Sequence, residues 1–583
     1  MPTMSTLVCV PIMLEFPAAH DPSGGASSGD AQGLAGAIDA ALADAALAKS
    51  KSADLVEFRI DAVFDGAEHG PDADELDAYT VAEFRRLLAE SPLPVILTCR
   101  PTWEGGEYDG DDSDRVALFE KLCCDTEHPP AYLDVELVAY TRSANLRQKI
   151  NLCVTHPKQQ RGGVTTRLIL STHDFEGRPA DLDRRLLAMY DEPACAVVKV
   201  AFRARSLRDN LNLFEILRES PKPTIALGMG EFGLMSRVLA PKFNGFLTFA
   251  SLRDQAATAP GQPTIDDLLG MYRFRSIGKA TKLYGVIGWP VGHSLSPLIH
   301  NAGFEQIGWD GVYLPLPIAA DEQDAEASFT SFKATLESLL EETPLELRGT
   351  SVTLPHKQSL HRLSEIAGWL EPSPLNAIGA MNTLAVRSEN EEQPIIATNT
   401  DALAIEELIT PFAEKTAPHV HVFGAGGVAR AAAFAAGGSA RHTYIHNRTP
   451  DRARTLAEEL PFEASALPAE IERGTPAGGV YINCTSVGMA GGPAPEGSPV
   501  AIDHLDFSVS TEPTIFFDTV YNPVETPMLK AARERGCRTI DGVEMFVRQA
   551  AAQFRLWTGQ PAPIELFDRL CRERLSASEP PAP

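Results

Sequence analysis

At 583 residues the chain is too long for one hydrophobic core, so two or more domains are expected. Its 44% hydrophobic and 22% charged residues are those of an ordinary globular protein, and a formal net charge of −27 argues against nucleic acid or an anionic membrane as partner. Nine cysteines without CxxC or zinc-ligand spacing read as reduced thiols, with no metal site and no disulfide framework.

The chain enters a strand almost at once, at LVCVPIML (7–14). That leaves no room for a signal or transit peptide, and no apolar run approaches the ~20 residues that span a bilayer, so a cytoplasmic location is expected. Further β-branched runs follow at 55–61, 94–100, 131–137, 167–175, 196–202, 224–229 and 245–251. Stretches with helical spacing, such as VAEFRRLLAE (81–90) and DLDRRLLAMY (181–190), lie between them. Eight β–α units of this kind predict a (β/α)8 barrel, with a doubly wound open sheet as the alternative. Acidic stretches such as EYDGDDSDR (107–115) read as solvated loops or helix faces. The segment 155–167 is longer than a minimal connection and carries no evident function.

In a barrel, chemistry sits where the strands end. Glu57 and Arg59 end the second run, two apart and so on one face. Arg100 ends the third, and its loop carries Glu104. His173 ends the fifth, Arg237 follows the seventh, and Thr258 and Gln262 follow the eighth. Lys199 stands in the middle of the apolar run AVVKVAF (196–202). One reading makes it an edge residue reaching water. The other makes it a lysine buried on purpose, whose deprotonated amine attacks a ketone and forms an imine. His173, ionisable near neutrality, suits proton transfer next to that imine, and Arg237 suits a substrate carboxylate.

The motifs EFRID, TCR with EGGE, STHDF, VVKVAF, GMGEFGLMSR and APGQ, in this order, resemble type I 3-dehydroquinate dehydratase. The resemblance implies Lys199 as the imine lysine, His173 as general acid and base, and Glu104 as its assistant. It also implies Glu57, Arg59, Arg100, Arg237, Thr258 and Gln262 as substrate contacts, with threonine at 258 where many members have serine.

After a polar basic connector (271–282) a second alternating pattern begins at LYGVIG. GAGGVA (424–429) lies between the strand VHVF and an alanine-rich helix, which predicts a dinucleotide cradle made by Gly424, Ala425, Gly426, Gly427, Val428 and Ala429. The next strand ends in Asn447, Arg448 and Thr449, with Arg452 one turn on, where an acidic residue would bind a ribose 2′-hydroxyl. Cationic and neutral donors there favour the 2′-phosphate of NADP. Upstream lie GHSLSP, SVTLPHK, AMNTL and ATNTD, and Lys357 with Asp401 could form a proton-handling pair.

With INCTSVGM, DTVYNP and DGVEMFVRQAA, these motifs resemble shikimate dehydrogenase along most of 283–572. That implies Lys357 and Asp401 as the catalytic pair, and Ser294, Ser296, Thr353, Asn382, Tyr521 and Gln549 around shikimate. Thr485 joins the cofactor contacts. Two departures stand out: Ser351 replaces the usual bacterial asparagine, as in the fused proteins of plants, and Ala402 replaces a common glycine.

The expected organisation is a barrel over 1–275, a linker over 276–282, and a shikimate-binding lobe over 283–400 completed by 545–572. A Rossmann NADP-binding lobe over 401–544 and a tail over 573–583 complete it. The implied activity is bifunctional: dehydration of 3-dehydroquinate, then NADPH-dependent reduction of 3-dehydroshikimate, on small carboxylated substrates. A catabolic quinate/shikimate dehydrogenase fused to the dehydratase is the first alternative, and the paired serines, which leave little room for quinate's extra hydroxyl, argue against it. A non-catalytic quinate-pathway sensor is the second, and retention of Lys199, His173, Lys357 and Asp401 argues against that.

Overall fold

Each β-branched run of the first half forms a strand: β1 (Leu7–Met13), β2 (Leu55–Arg59), β3 (Val95–Thr98), β4 (Tyr132–Glu136), β5 (Arg167–Asp174), β6 (Cys195–Arg203), β7 (Thr224–Met229) and β8 (Leu247–Phe249). Side chains branched at Cβ are stiff and pack well on a pleated surface, which is why these runs extend. The strands lie in the order β7-β6-β5-β4-β3-β2-β1-β8, each ladder parallel. A main-chain bond from Phe246 N to Thr224 O (2.8 Å) links the residue before β8 to the first residue of β7. The result is a nearly closed parallel barrel with helices between its strands, not an open doubly wound sheet.

The computed structural model describes residues 5–15, 29–64, 78–124, 126–162, 165–253, 261–321, 323–387, 393–509 and 512–578. The chain divides into two compact units, Met1–Thr281 and Lys282–Pro583. In the first, one end of the barrel is filled by Cys9, Leu55, Ile96, Ile169, Val197, Ile225 and Leu247. Burying an aliphatic side chain of this size contributes about 1.5–3 kcal/mol, which helps offset the cost of the charges held elsewhere in the same barrel.

In the second unit, β9 (Lys282–Gly288), β10 (Gly311–Pro317), β11 (Leu347–Val352), β12 (Thr383–Val386) and β13 (Ile395–Thr398) form a sheet in the order β10-β9-β11-β12-β13. β9 is parallel to β10 and β11, and the last two pairings are antiparallel. The helix Gly542–Thr558 returns to this lobe, where Val547, Phe554 and Trp557 pack with Tyr284 and Phe304.

A separate all-parallel sheet holds β14 (His419–Phe423), β15 (His442–His446) and β16 (Ala464–Leu467) on one side. The two-residue strands β17 (Thr475–Pro476) and β19 (Leu505–Asp506) pair with each other. β18 (Gly479–Asn483), β20 (Thr514–Asp518) and β21 (Arg538–Ile540) complete the order β16-β15-β14-β18-β20-β21. Strand order reverses beside β14, at the crevice where such sheets bind nucleotides. Ala429, Ala432, Ala433 and Ala436 of the helix Gly427–Gly437 belong to this sheet's core.

Three sequence expectations shift. The helix Ile564–Ser578 occupies the start of the segment expected as a tail. The acidic stretch 107–115 is not simply solvated, because Tyr108, Asp112 and Arg115 are buried. The segment 155–167 contains the short helix Pro157–Gly162, whose Gln159 Nε2 donates to the Cys123 and Cys153 carbonyl oxygens and whose Oε1 accepts the Thr166 N–H.

Candidate active sites

One cavity of the barrel is lined by Glu57, Arg59, Arg100, Glu104, His173, Lys199, Arg237 and Gln262, together with Phe175, Met229 and Phe249. The polar members come from the strands, as Glu57 and Lys199 do, or from the segments that follow them, as Glu104 and Arg237 do, so neighbouring parallel strands bring together residues far apart in sequence. Thr258, expected beside Gln262, lies outside the described residues.

Lys199 is 5% exposed, so it does not reach water from an edge. Nor is it in a purely apolar setting. Its Nζ lies 2.7 Å from Asp134 Oδ2 and 3.3 Å from Glu57 Oε1, and 4.8 Å from the centre of the Phe249 ring. The expectation of a lysine in dry, apolar surroundings therefore needs correcting: the amine is paired with two carboxylates. Asp134 is itself held by Ser171 Oγ (2.6 Å) and Arg100 Nη2 (3.0 Å). Burial pushes its carboxyl up, but Arg100 and Lys199 outweigh this and hold it well below the usual range. Asp134 and Glu136 were not singled out in the strand AYLDVEL. Their signal was present, as two acids two apart in an otherwise apolar strand.

His173 Nδ1 lies 2.9 Å from Glu104 Oε2, which also accepts the His173 main-chain N–H at 3.2 Å. Burial pushes the Glu104 carboxyl up to about 8 against the pull of Arg100. Burial, then Arg100 and Lys199, lower the His173 imidazolium well below its ordinary range, so the ring is neutral near pH 7. An oxygen already accepting one N–H is placed to accept Nδ1–H too, which assigns the remaining lone pair to Nε2. That nitrogen is then a base.

Arg237 is buried, its Nε has no hydrogen-bond partner, and no carboxylate pairs with it among the described residues. Burial brings it down to about 10, which still leaves it charged at neutral pH. An unpaired buried guanidinium is costly, and it fits a site completed by an incoming carboxylate. Arg59 is bound through two bonds to Asp61 (2.8 and 2.6 Å), and Arg100 is largely occupied by Asp134, Glu136 and Ser171.

In the second unit Lys357 begins the helix Lys357–Ala367, and its Nζ meets Asp401 Oδ2 at 2.5 Å, both side chains buried. A Cβ built on Gly427 would stand 3.0 Å from Lys357 Cδ, so the lysine stem lies against the dinucleotide turn. Ser294 and Thr353 are half-buried, and Ser296 opens the helix Ser296–Gln306. Asn382 Oδ1 accepts the Thr400 N–H (2.7 Å) while its Nδ2 donates to Thr400 Oγ1 (3.0 Å), which fixes the amide. Gln549 donates to the Phe546 carbonyl, and the Tyr521 ring packs on Phe546 at 5.0 Å.

Ser351 accepts from Tyr313 Oη (2.6 Å) and donates to Gln553 Oε1 (2.8 Å). Neither Tyr313 nor Gln553 was foreseen. Ala402 is buried within the helix Thr400–Thr416, where nothing requires a glycine.

Whether the turn fits NADP is tested by its own shape. Gly424 has φ of +119°, favoured by glycine, and a Cβ there would meet the Cys484 carbonyl oxygen at 2.9 Å. A Cβ on Gly426 would meet no protein atom within 4 Å, so that face is open, at the N-terminus of an eleven-residue helix without a side-chain cap. Free N–H groups at such an end suit a pyrophosphate.

The Gly424 N–H donates to His446 O at the end of β15, which brings the Asn447–Arg448–Thr449 turn alongside. Asn447 Nδ2 donates to Thr449 O, and Arg448 and Arg452 are exposed without a carboxylate partner among the described residues. Ala425 and Val428 pack partly against the core and Ala429 is fully buried, so their contribution to the cradle is through the main chain. Thr485 Oγ1 donates to Asn483 Oδ1 (2.7 Å) and shapes its own loop.

Comparison with known families agrees with this division. The model of type I 3-dehydroquinase matches residues 35–279. The shikimate dehydrogenase substrate-binding domain matches 286–384, and the shikimate 5′-dehydrogenase C-terminal domain matches 542–571. A bifunctional 3-dehydroquinate dehydratase/shikimate dehydrogenase of Arabidopsis thaliana, described as chloroplastic, is 35% identical over 558 residues, covering 92% of this chain and 82% of its own.

A shikimate dehydrogenase (NADP+) of Maridesulfovibrio salexigens is 36% identical over 302 residues, covering 51% of this chain and 97% of its own. The crystal structure of Thermus thermophilus shikimate 5-dehydrogenase with NADP(H) and shikimate is 30% identical, covers 50% of this chain and 99% of its own, and aligns with a TM-score of 0.39. Among the described residues no helix is long and apolar enough to cross a membrane.

Proposed function

The chain belongs to the family of bifunctional 3-dehydroquinate dehydratase/shikimate dehydrogenases, and on that premise we propose how its side chains divide the work. It converts 3-dehydroquinate to 3-dehydroshikimate and reduces that product to shikimate with NADPH.

In the barrel, Arg237 takes the substrate carboxylate, the Lys199 ammonium passes a proton to His173 Nε2, and the free amine attacks the ketone carbon. The nitrogen–carbon bond forms, the carbonyl oxygen departs as water with the proton that His173 returns, and an iminium remains. His173 Nε2 removes a proton from the adjacent ring carbon. The electron pair moves through the enamine and expels the hydroxyl one carbon further on, which leaves as water with the proton that His173 returns. Water then hydrolyses the imine and frees Lys199. Asp134, held ionised by Arg100 and Lys199, orients the amine and does not take its proton. Glu104 keeps the His173 ring in the tautomer this needs. The proposed substrate contacts are Glu57, Arg59, Arg100 and Gln262.

In the second unit, NADPH supplies the hydride when it is bound. Gly424, Gly426 and Gly427 leave room for its pyrophosphate, and Arg448, Thr449 and Arg452 offer donors to the 2′-phosphate. Lys357 gives a proton to the oxygen of the reduced carbonyl, and Asp401 holds that ammonium in place. Ser294 and Ser296 bind the ring carboxylate, and Thr353, Asn382, Tyr521 and Gln549 surround the hydroxyls. Nine free thiols support a reducing compartment, for which we propose the cytoplasm.

The observation that carries the dehydratase reading is the buried Lys199 amine sharing a cavity with His173 and with Arg237, whose Nε has no partner. Borohydride added during turnover of 3-dehydroquinate should reduce the imine and fix the ligand on Lys199, read by peptide mass spectrometry. An adduct on another lysine would overturn the assignment.

A further inference from the structure

The ion pairs behind Lys199 continue outward through the barrel wall. Arg100 Nη2 meets Asp134 Oδ2 at 3.0 Å, Arg100 Nη1 meets Glu136 Oε1 at 2.6 Å, and Arg115 Nη1 meets Glu136 Oε2 at 2.6 Å. Arg115 stands on the helix Asp112–Cys123, not on a strand, and its side chain is fully buried. It also donates to Asp112 Oδ1 and to the Cys99 carbonyl oxygen, both at 2.8 Å. Asp112 in turn pairs with Arg142 (2.7 Å), which is half exposed and lies over the Trp103 ring, on the loop that carries Glu104. Arg115 does not line the cavity.

Charges alternate along this chain, and each inner carboxylate is shared between two cations. Glu136 bridges Arg100 and Arg115, while Asp134 bridges Arg100 and Lys199. At low local dielectric, neither end of such a chain is independent of the other. Without Arg115, Glu136 would keep a single partner. It would draw Arg100 toward itself and away from Asp134, leaving that carboxylate to bind the lysine alone.

We propose that Arg115 is a positioning residue of the dehydratase: through Glu136 and Arg100 it fixes Asp134, and so the place of the Lys199 amine. The inference rests on Lys199 being the imine lysine.

The test uses the full chain in three variants, Arg115→Met, Glu136→Gln and the double variant, with shikimate oxidation by the second unit as the measure of active protein. Arg115→Met should lower kcat for dehydration by about tenfold or more with KM within about twofold, because Arg115 itself does not line the cavity. The rate of borohydride trapping at Lys199 should fall in step. The double variant should recover part of kcat, since no carboxylate is then stranded, a rescue that simple loss of packing would not give. If Arg115→Met does not fold, Glu136→Gln alone should still lower kcat at unchanged KM. Unchanged kcat in both single variants, a raised KM alone, or a double variant no better than Arg115→Met would overturn the proposal. A wild-type adduct on a different lysine would instead remove the reading beneath it.

Discussion

The Glu104 carboxyl and the His173 imidazole, 2.9 Å apart, divide one proton in an order opposite to that in water. Burial raises the carboxyl from its ordinary 4.5 to about 8, so the acid is neutral where most glutamates are charged. A group raised in the fold gives stability in full below its unfolded value, and that stability is lost as pH climbs through the folded value. The window here runs from about 4.5 to about 8. Glu104→Gln cannot ionise, so the barrel of this variant should melt about 3 °C or more above wild type at pH 9 and level with it at pH 4.5. Dehydration should nevertheless slow by about tenfold or more, because the proton path at His173 is altered. Melting curves that fall in parallel with pH would place the ionisation elsewhere. At this scale the sequence showed the cavity-lining residues because they are polar groups at strand ends. It did not show the residues behind them. Arg115 and Asp112 stand in a stretch whose composition reads as solvated surface, and only the fold brings Arg115 to Glu136 on β4, with Asp112 as the second carboxylate on the same guanidinium.

At the scale of the element, the strand–turn–helix around β14 does one thing that no single residue does. It ends a strand on Gly424 at positive φ, turns through Gly426, and presents uncapped N–H groups in the first turn of the following helix. The pattern was readable because glycines at that spacing have few uses between a buried strand and an alanine-rich helix. The eight barrel strands were readable for a similar reason, since β-branched runs alternate with helical spacing. The closing β8, only Leu247–Phe249, is shorter than its apolar run implied. Gly426 offers a sharp test, because its backbone (φ −88°, ψ −173°) suits any residue and an added Cβ meets no protein atom within 4 Å. Gly426→Ala should therefore leave the melting temperature unchanged while lowering NADPH affinity by about tenfold or more, as the methyl enters the space of the pyrophosphate. Equal NADPH titrations for the variant and the parent would show that the phosphates bind elsewhere.

At the scale of the whole molecule, an acidic chain carries two groups of candidate side chains for anionic rings, and among the described residues each group lies within one unit. The first draws its side chains from residues 57–262 and the second from 294–549, on either side of the division after Thr281. Among the described residues no charge at one site belongs to the ion pairs of the other, so each half should tolerate loss of the other's chemistry. Lys199→Ala should lose dehydration and still reduce added 3-dehydroshikimate within about twofold of wild type, and Lys357→Ala should do the converse. Mixing the two variants in equal amounts should then carry 3-dehydroquinate through to shikimate with NADPH, the enone absorbance rising before it falls. The argument requires only that the intermediate leave one molecule and enter another, which a small, strongly hydrated carboxylate does readily. A mixture that stalls at 3-dehydroshikimate, although each variant is active alone, would mean that the second site accepts the ring only from the barrel of its own chain.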